Sequence, residues 1–120
     1  MGFIADMQSA VIASGQTDSN WVEGFDDAEA VSIWSPAALT GTITILASPD
    51  RPPDVGGAAT ASKTSGTMQS GGSDITITTS KMLTFTDITF RALRIHSSSA
   101  EGADRTFKIT KQIYPTSAGF

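Results

Sequence analysis

The 120-residue chain contains no cysteine and only one histidine, and these absences exclude several kinds of site. Without cysteine there can be no disulfide, no thiolate zinc site and no iron–sulfur cluster, so packing or assembly must hold the fold together. Twelve acidic residues outnumber eight basic ones, which leaves a net charge of −4. Because duplex-binding proteins depend on clustered lysine and arginine, we do not expect nucleic acid as a partner.

The first 15 residues lack the pattern of a targeting signal or a membrane span. They have no basic stretch, and Asp6, Gln8 and Ser9 interrupt their apolar residues. A transmembrane helix needs about 20 predominantly apolar residues, and a secretory signal needs a basic start. We therefore expect no membrane partner. A chain of this length buries roughly two-thirds of its unfolded surface, so we expect one domain over 1–120.

Residues that favour helices are scarce, whereas residues that favour strands and turns are abundant. Leucine and lysine occur four times each and glutamate three times, but there are sixteen threonines and fifteen serines. The β-branched side chain of threonine suits a pleated sheet, and serine suits turns. The composition predicts an all-β protein.

Alternating apolar and polar residues predict eight short strands. The alternation is clearest at 42–45, 74–78 and 106–110, where isoleucine or phenylalanine alternates with polar residues. Weaker patterns occupy five further segments, which are 9–13, 20–25, 30–34, 81–85 and 92–96. Glycine, proline and aspartate between these segments favour turns. Eight strands in one small domain predict an antiparallel two-sheet β-sandwich of the jelly-roll kind.

Three side chains near the ends of strands have predicted positions. Lys111 continues the inward parity of the last strand, and we expect it at the end of the sheet with its amine in solvent. We expect Phe90 to tuck under the sheet. Arg105 is expected to pair with Glu101 or Asp104, or with a backbone carbonyl, at an exposed turn, where such a pair contributes less than about 1 kcal/mol.

Residues 48–74 are the longest stretch without a clear strand pattern, although the predicted strand at 74–78 follows at once. The stretch begins with Pro49-Asp50-Arg51-Pro52-Pro53 and continues into a run of glycine, alanine, serine and threonine. A loop this long in a compact domain has a function, lacks order or hides a poor edge strand. We keep two interpretations, a surface excursion and an arm that contacts a partner, and an edge strand near 59–64 is compatible with both.

The two ends of the chain, 1–7 and 114–120, are predicted to extend beyond the sandwich. They carry apolar residues outside any clear strand, and in an assembling protein such ends often dock on a neighbour. The predicted partner contacts therefore lie in both ends and in the proline-rich segment. They are Phe3, Ile4, Pro49, Arg51, Pro52, Pro53, Tyr114 and Phe120.

No catalytic arrangement stands out in the sequence. His96 is the only imidazole, and its strand pattern places it on an outer face, where neighbouring serines do not provide the geometry of a catalytic triad. The acidic residues at 23–29 lack the regular oxygen spacing of a calcium loop, and neither glycine-rich phosphate motif occurs. We expect no enzyme activity, cofactor or metal. A small hydrolase that uses His96 is an alternative hypothesis.

The two tryptophans leave a sugar-binding alternative open, because small β-sandwiches can present indole rings to sugars. Trp34 lies at the end of a strand pattern, just before Pro36. A large aromatic residue in that place is more typical of core or rim packing. Trp21 and Trp34 are therefore the candidate residues of this alternative.

A resemblance to known proteins rests on four segments, which are IASGQTDSNWV, AVSIWSPAALTGTITILASPD, SGGSDITITTSKMLTF and FRALRIHSSSAEGADRTFKITKQI. They contain a serine-rich opening turn, a strand ending in Pro-Ala, a strand leading into Ser-Pro-Asp, and a late arginine strand followed by Asp-Arg-Thr. In this order, over 12–113, the chain resembles small tailed-bacteriophage virion proteins. Where those proteins commonly have a short Asp-Gly turn, this chain has the stiffer segment at 50–53.

The resemblance implies a non-enzymatic capsid decoration or cement protein, with a tail fibre or baseplate module that binds glycans or a receptor as the alternative. It implies the major capsid protein or another virion protein as partner, and a homo-oligomer. The expected location is the capsid exterior, after a stage in the host cytoplasm. A net charge of −4 fits a protein outside the shell, away from the packaged genome.

Overall fold

The computed structural model describes residues 4–25, 27–49, 64–86 and 88–113. Every regular element in these ranges is a β-strand. The strands are β1 (Ile4–Ile12), β2 (Val22–Glu23), β3 (Ala30–Trp34), β4 (Ile43–Ser48), β5 (Gly66–Thr67), β6 (Gln69–Ser70), β7 (Ser73–Asp74), β8 (Thr76–Ile77), β9 (Met82–Thr86), β10 (Ala92–Ser97) and β11 (Arg105–Ile113). This part of the chain contains no helix that could span a membrane.

Nine of these strands form two antiparallel sheets, and eight of them, all but β5, have the order of a jelly roll. The first sheet has the order β1-β11-β3-β9, and the second has the order β2-β10-β4, where β4 also pairs with β8 and β5. Along the chain, each of these eight strands lies in the opposite sheet from the one before it. The exception is β8, which follows β4 in the same sheet and pairs with it directly. The predicted all-β, two-sheet fold is confirmed, and each of the eight predicted segments overlaps one of these strands.

The core lies between the two sheets and consists of the inward residues of each strand. Its large buried members on the long strands are Ile12, Val31, Ile33, Ile43, Ile45, Leu93, Ile95, Phe107 and Ile109. Phe25 and Phe90 add an edge-to-face pair with ring centres 5.4 Å apart. The predicted inward position of Phe90 is confirmed.

Part of the 48–74 stretch forms short strands. β5 pairs with β4, and β6 pairs with β7 as a hairpin. Gly71 and Gly72 make its two-residue turn with φ angles of 62° and 86°, a conformation that glycine adopts without strain. Thr64 is not in a strand, and the rest of the edge strand expected near 59–64 lies outside the described residues.

Two predictions about the strand ends differ from the structure. β1 begins at Ile4, because residues 4–7 pair with 110–113 of β11, where an extension over 1–7 was expected. Lys111 does point inward, but the prediction that its amine reaches solvent was wrong. The residue is only 8% exposed, and its Nζ donates to the carbonyl oxygen of Gly24 and, at 3.3 Å, to Asp27 Oδ1. The loop after β2 closes over this end of the sheet and supplies both acceptors.

Candidate functional site

The outward surface of the first sheet carries a group of exposed apolar side chains. Met7 is 58% exposed, Trp34 36% and Met82 64%, and they are the exposed large hydrophobic residues of the described chain. All three occupy outward positions of their strands. Single exposed apolar residues are normal on a protein surface, but a group on one face is typical of an interaction site. We call this surface the outer face, formed by Met7, Ser32, Trp34, Met82, Thr84, Lys108 and Thr110.

Cross-strand register places Trp34 between Met82 on β9 and Lys108 on β11. The Lys108 Nζ lies 5.5 Å from the centre of the indole ring, which is within the range of a cation–π interaction. The three side chains form an apolar ridge that is charged at one end. Tryptophan and methionine are enriched where protein interfaces are buried, so this ridge is suited to a protein partner.

A row of hydroxyl groups runs beside the ridge. Ser32 Oγ and Thr84 Oγ1 lie 2.9 Å apart and are hydrogen-bonded. Thr110 is the next residue across the sheet from Ser32, and Met7 follows on β1. The outer face therefore offers hydrogen-bonding groups next to an apolar contact, which is the usual make-up of a non-obligate interface.

The structure corrects the expected position of Trp34. Core or rim packing was predicted, but the side chain lies on the outer face. The reason is the alternation of side chains along β3. Val31 and Ile33 point inward, so the side chain of Trp34, the next residue after Ile33, points outward. The same parity could have identified Met82 and Lys108, which are not among the predicted partner contacts.

The outward surface of the second sheet carries the other tryptophan and the histidine. The Arg94 guanidinium carbon lies 5.0 Å from the centre of the Trp21 ring, and its Nε and Nη2 donate to the Ser19 carbonyl at 3.0 and 2.7 Å. His96 Nδ1 is 2.7 Å from Asp18 Oδ1, and both side chains are more than a third exposed. Among the described residues, no hydroxyl is hydrogen-bonded to His96, so a nucleophile is missing from this pair.

The second sheet also ends in a shallow groove of about 310 Å³. Leu39, Ile43 and Ile77 provide its apolar lining, and four threonines provide hydroxyls. The groove has no charged lining residue, which suits a small uncharged ligand better than an ion. Within the described ranges, no three histidine, aspartate or glutamate side chains lie close enough together to hold a metal ion.

Near this groove, Glu101 forms a buried network of hydrogen bonds. Its carboxylate accepts from the backbone N–H groups of Thr40 at 2.8 Å and Gly41 at 3.0 Å, from Ser97 Oγ at 2.6 Å and from Arg105 Nε at 2.9 Å. Burial raises the pKa of Glu101, but the hydrogen bonds from Ser97, Gly41, Thr40 and Arg105 outweigh it and lower the pKa to about 2.

A pair of Arg105 with Glu101 was one of the three predicted alternatives and is the one observed, but the predicted exposure of this turn was wrong for Glu101. Glu101 is 1% exposed, because the 40–41 loop folds over it and caps its oxygens with two backbone N–H groups. The carboxylate thus ties the loop before β4 to the end of β10 and the start of β11. All of its partners belong to the chain itself, so we assign it a structural role.

The predicted partner contacts fall mostly outside the described residues. Phe3, Arg51, Pro52, Pro53, Tyr114 and Phe120 all lie there. Ile4 is the first residue of β1, opposite Ile113, and Pro49 is exposed directly after β4.

No family model matches the sequence, and a search of curated proteins finds no match. Solved structures with a similar fold include the SPBc2 prophage-derived protein YomS, with a TM-score of 0.55 and 13% identity over 91% of this chain and 95% of that chain. IMPa from Pseudomonas aeruginosa has a TM-score of 0.52 and 12% identity, and the match covers 94% of this chain but 13% of that chain. At these identities, the likeness concerns the fold alone.

Proposed function

We propose that this chain is a non-enzymatic structural protein of a phage particle, which decorates or cements the head shell from outside. The observation that carries the proposal is the exposed ridge of Met82, Trp34 and Lys108 on the outer face. A protein that attaches to a preformed shell needs such a surface. By binding the assembled shell, it stabilises that shell in proportion to its occupancy.

Two further features support a role in a particle. The fold is similar to that of a prophage-derived protein, in agreement with the resemblance drawn from the strand and turn motifs. Jelly rolls also recur in viral capsid proteins. The proposed partner is the major capsid protein or another virion protein.

Cryo-EM of the purified particle tests the proposed position. We expect density for this chain on the outer surface of the head. Density on the tail alone, or absence of the chain from purified virions, would contradict the assignment to the head.

A matched pair of variants tests the proposed contact surface. Trp34→Ala removes the ring from the outer face, and Trp21→Ala removes the same side chain from the opposite sheet. We expect Trp34→Ala to weaken binding to particles that lack the protein by about tenfold or more in a co-sedimentation assay, because central interface tryptophans often dominate binding. Trp21→Ala should bind like the wild type. The reverse result would move the contact to the second sheet.

The second candidate is a glycan-binding or receptor-binding module of a tail fibre or baseplate. The surface around Trp21 favours it, since the ring lies on the same outward surface as Arg94 and the His96–Asp18 pair. Sugar sites combine an aromatic ring with polar side chains of this kind. A glycan array without binding, or unchanged binding by Trp21→Ala, would remove this candidate.

A further inference from the structure

We infer that β9 is a self-association edge, through which two copies of this chain pair β9 with β9 in antiparallel orientation centred on Thr84. β9 and β1 are the two outer strands of the first sheet. The inference rests on the contrast between these two edges and does not depend on the proposed role in a phage particle.

The edge at β1 is capped at Ser9 and Val11 by the side chain of Asn20. Asn20 Oδ1 accepts from the Val11 N–H at 2.8 Å, and Asn20 Nδ2 donates to the Ser9 carbonyl at 3.2 Å. The Gln8 side-chain amide donates to the Glu23 carbonyl at 3.2 Å. That bond links β1 to β2, whereas the Asn20 amide occupies the place of a further strand beside Ser9 and Val11, which is one way in which proteins block pairing at an exposed edge.

The edge at β9 has no such cap in the part of the chain that the structure describes. β9 pairs there with β3 alone, and no described side chain is hydrogen-bonded to the backbone of its five residues. Its sequence, MLTFT, contains no charge, proline or glycine. Charged residues and proline are the common protection of an edge strand, so β9 is open to pairing.

The inward residues of β9 indicate what kind of strand would complete this edge. Leu83 and Phe85 are half-buried, whereas their partners Ile33 and Val31 on β3 are fully buried. A strand added beside β9 would therefore cover Leu83 and Phe85 best if it carried two apolar residues on its inward side. In a pairing centred on Thr84, Leu83 of one copy faces Phe85 of the other, so β9 itself has the required pattern.

Charge favours the same arrangement of two copies. The sequence places Lys81 directly before β9. Antiparallel pairing centred on Thr84 places the lysines of the two copies at opposite ends of an uncharged strand, whereas parallel pairing in register would oppose lysine to lysine. The antiparallel dimer also joins the two outer faces into one continuous sheet surface.

Two double variants that share one substitution test the register. In the proposed pairing, residue 82 faces residue 86 of the other copy, and both are exposed in the single chain. M82K/T86K opposes lysine to lysine, and M82K/T86E opposes lysine to glutamate. Sedimentation velocity should show a wild-type dimer with a dissociation constant between about 1 and about 100 μM. M82K/T86K should raise that constant about tenfold or more relative to M82K/T86E.

A control on the same surface separates edge pairing from stacking of two faces. Thr110→Lys places a charge on β11, two strands from the edge, and should leave the dissociation constant unchanged. Circular dichroism verifies that each variant is folded. A wild-type chain that stays monomeric to about 100 μM, equal association of the two double variants, or loss of the dimer in Thr110→Lys would each overturn the inference.

Discussion

Replacing Glu101 by glutamine removes one charge from a buried polar network while it keeps the shape of the side chain. The carboxylate accepts hydrogen bonds from two backbone N–H groups, Ser97 and Arg105. In glutamine, an NH₂ group replaces one of the two carboxylate oxygens. At least one of the four donors would then face another donor and lose its hydrogen bond. Arg105 would also lose its charged partner, and we expect a less stable fold.

The pKa of Glu101 sets the size and the pH dependence of the effect. A fall from 4.5 to about 2 on folding corresponds to about 3 kcal/mol of stabilisation by the charged form. Because the unfolded chain binds the proton more tightly, this stabilisation is fully present above pH 4.5 and is lost as the pH falls towards 2. At pH 3, about 1 kcal/mol should remain.

Urea unfolding at one protein concentration, followed by tryptophan fluorescence, measures the effect. We expect Glu101→Gln to lower the free energy of unfolding by about 3 kcal/mol at pH 7 and by about 1 kcal/mol at pH 3. The difference between variant and wild type isolates Glu101, because the other carboxyl groups titrate in both proteins.

Asp104→Asn is the matched control, three residues away. Asp104 is exposed and accepts one hydrogen bond from the Ser14 N–H at 2.8 Å, so its substitution should cost less than about 1.5 kcal/mol. The reasoning about Glu101 fails if the loss in Glu101→Gln is the same at both pH values, or if it is below about 1 kcal/mol at pH 7.

Two further substitutions test the packing around the network and the core. Gly41→Ala should lower the free energy of unfolding by about 1–3 kcal/mol, because a Cβ would collide with Ser97 Oγ and lie 2.7 Å from the Ser99 nitrogen. Gly66→Ala, with open space around the Cβ, should change it by less than about 0.5 kcal/mol, and an equal effect of both would contradict this account. Phe25→Ala should lower the free energy of unfolding by about 3–5 kcal/mol and lower Tm, because the ring is buried against Phe90. A decrease below about 1 kcal/mol would show that the pair is not part of the core.

Parts of the candidate site were within reach of the sequence. The parity of β3 and β9 already directs Trp34 and Met82 outward, because alternation along a strand is a local property. Their position opposite each other was not predictable, since it depends on β3 pairing with β9, and these two strands are distant in the chain. The prediction for Lys111 failed for a related reason. Its parity was right, but the acceptor at Gly24 comes from a loop 87 residues earlier.

The abundance of threonine and the period-two alternation were enough to predict an all-β sandwich of eight strands. Each of these signals acts within a few residues, and a strand that is buried on one face must show it. The tertiary structure alone decided which strands are neighbours, which edge is capped by Asn20 and which edge has no cap among the described residues. It also decided that Glu101, in a serine-rich turn, is buried. These features depend on contacts between segments that are distant in the chain, and a local sequence pattern does not predict such contacts.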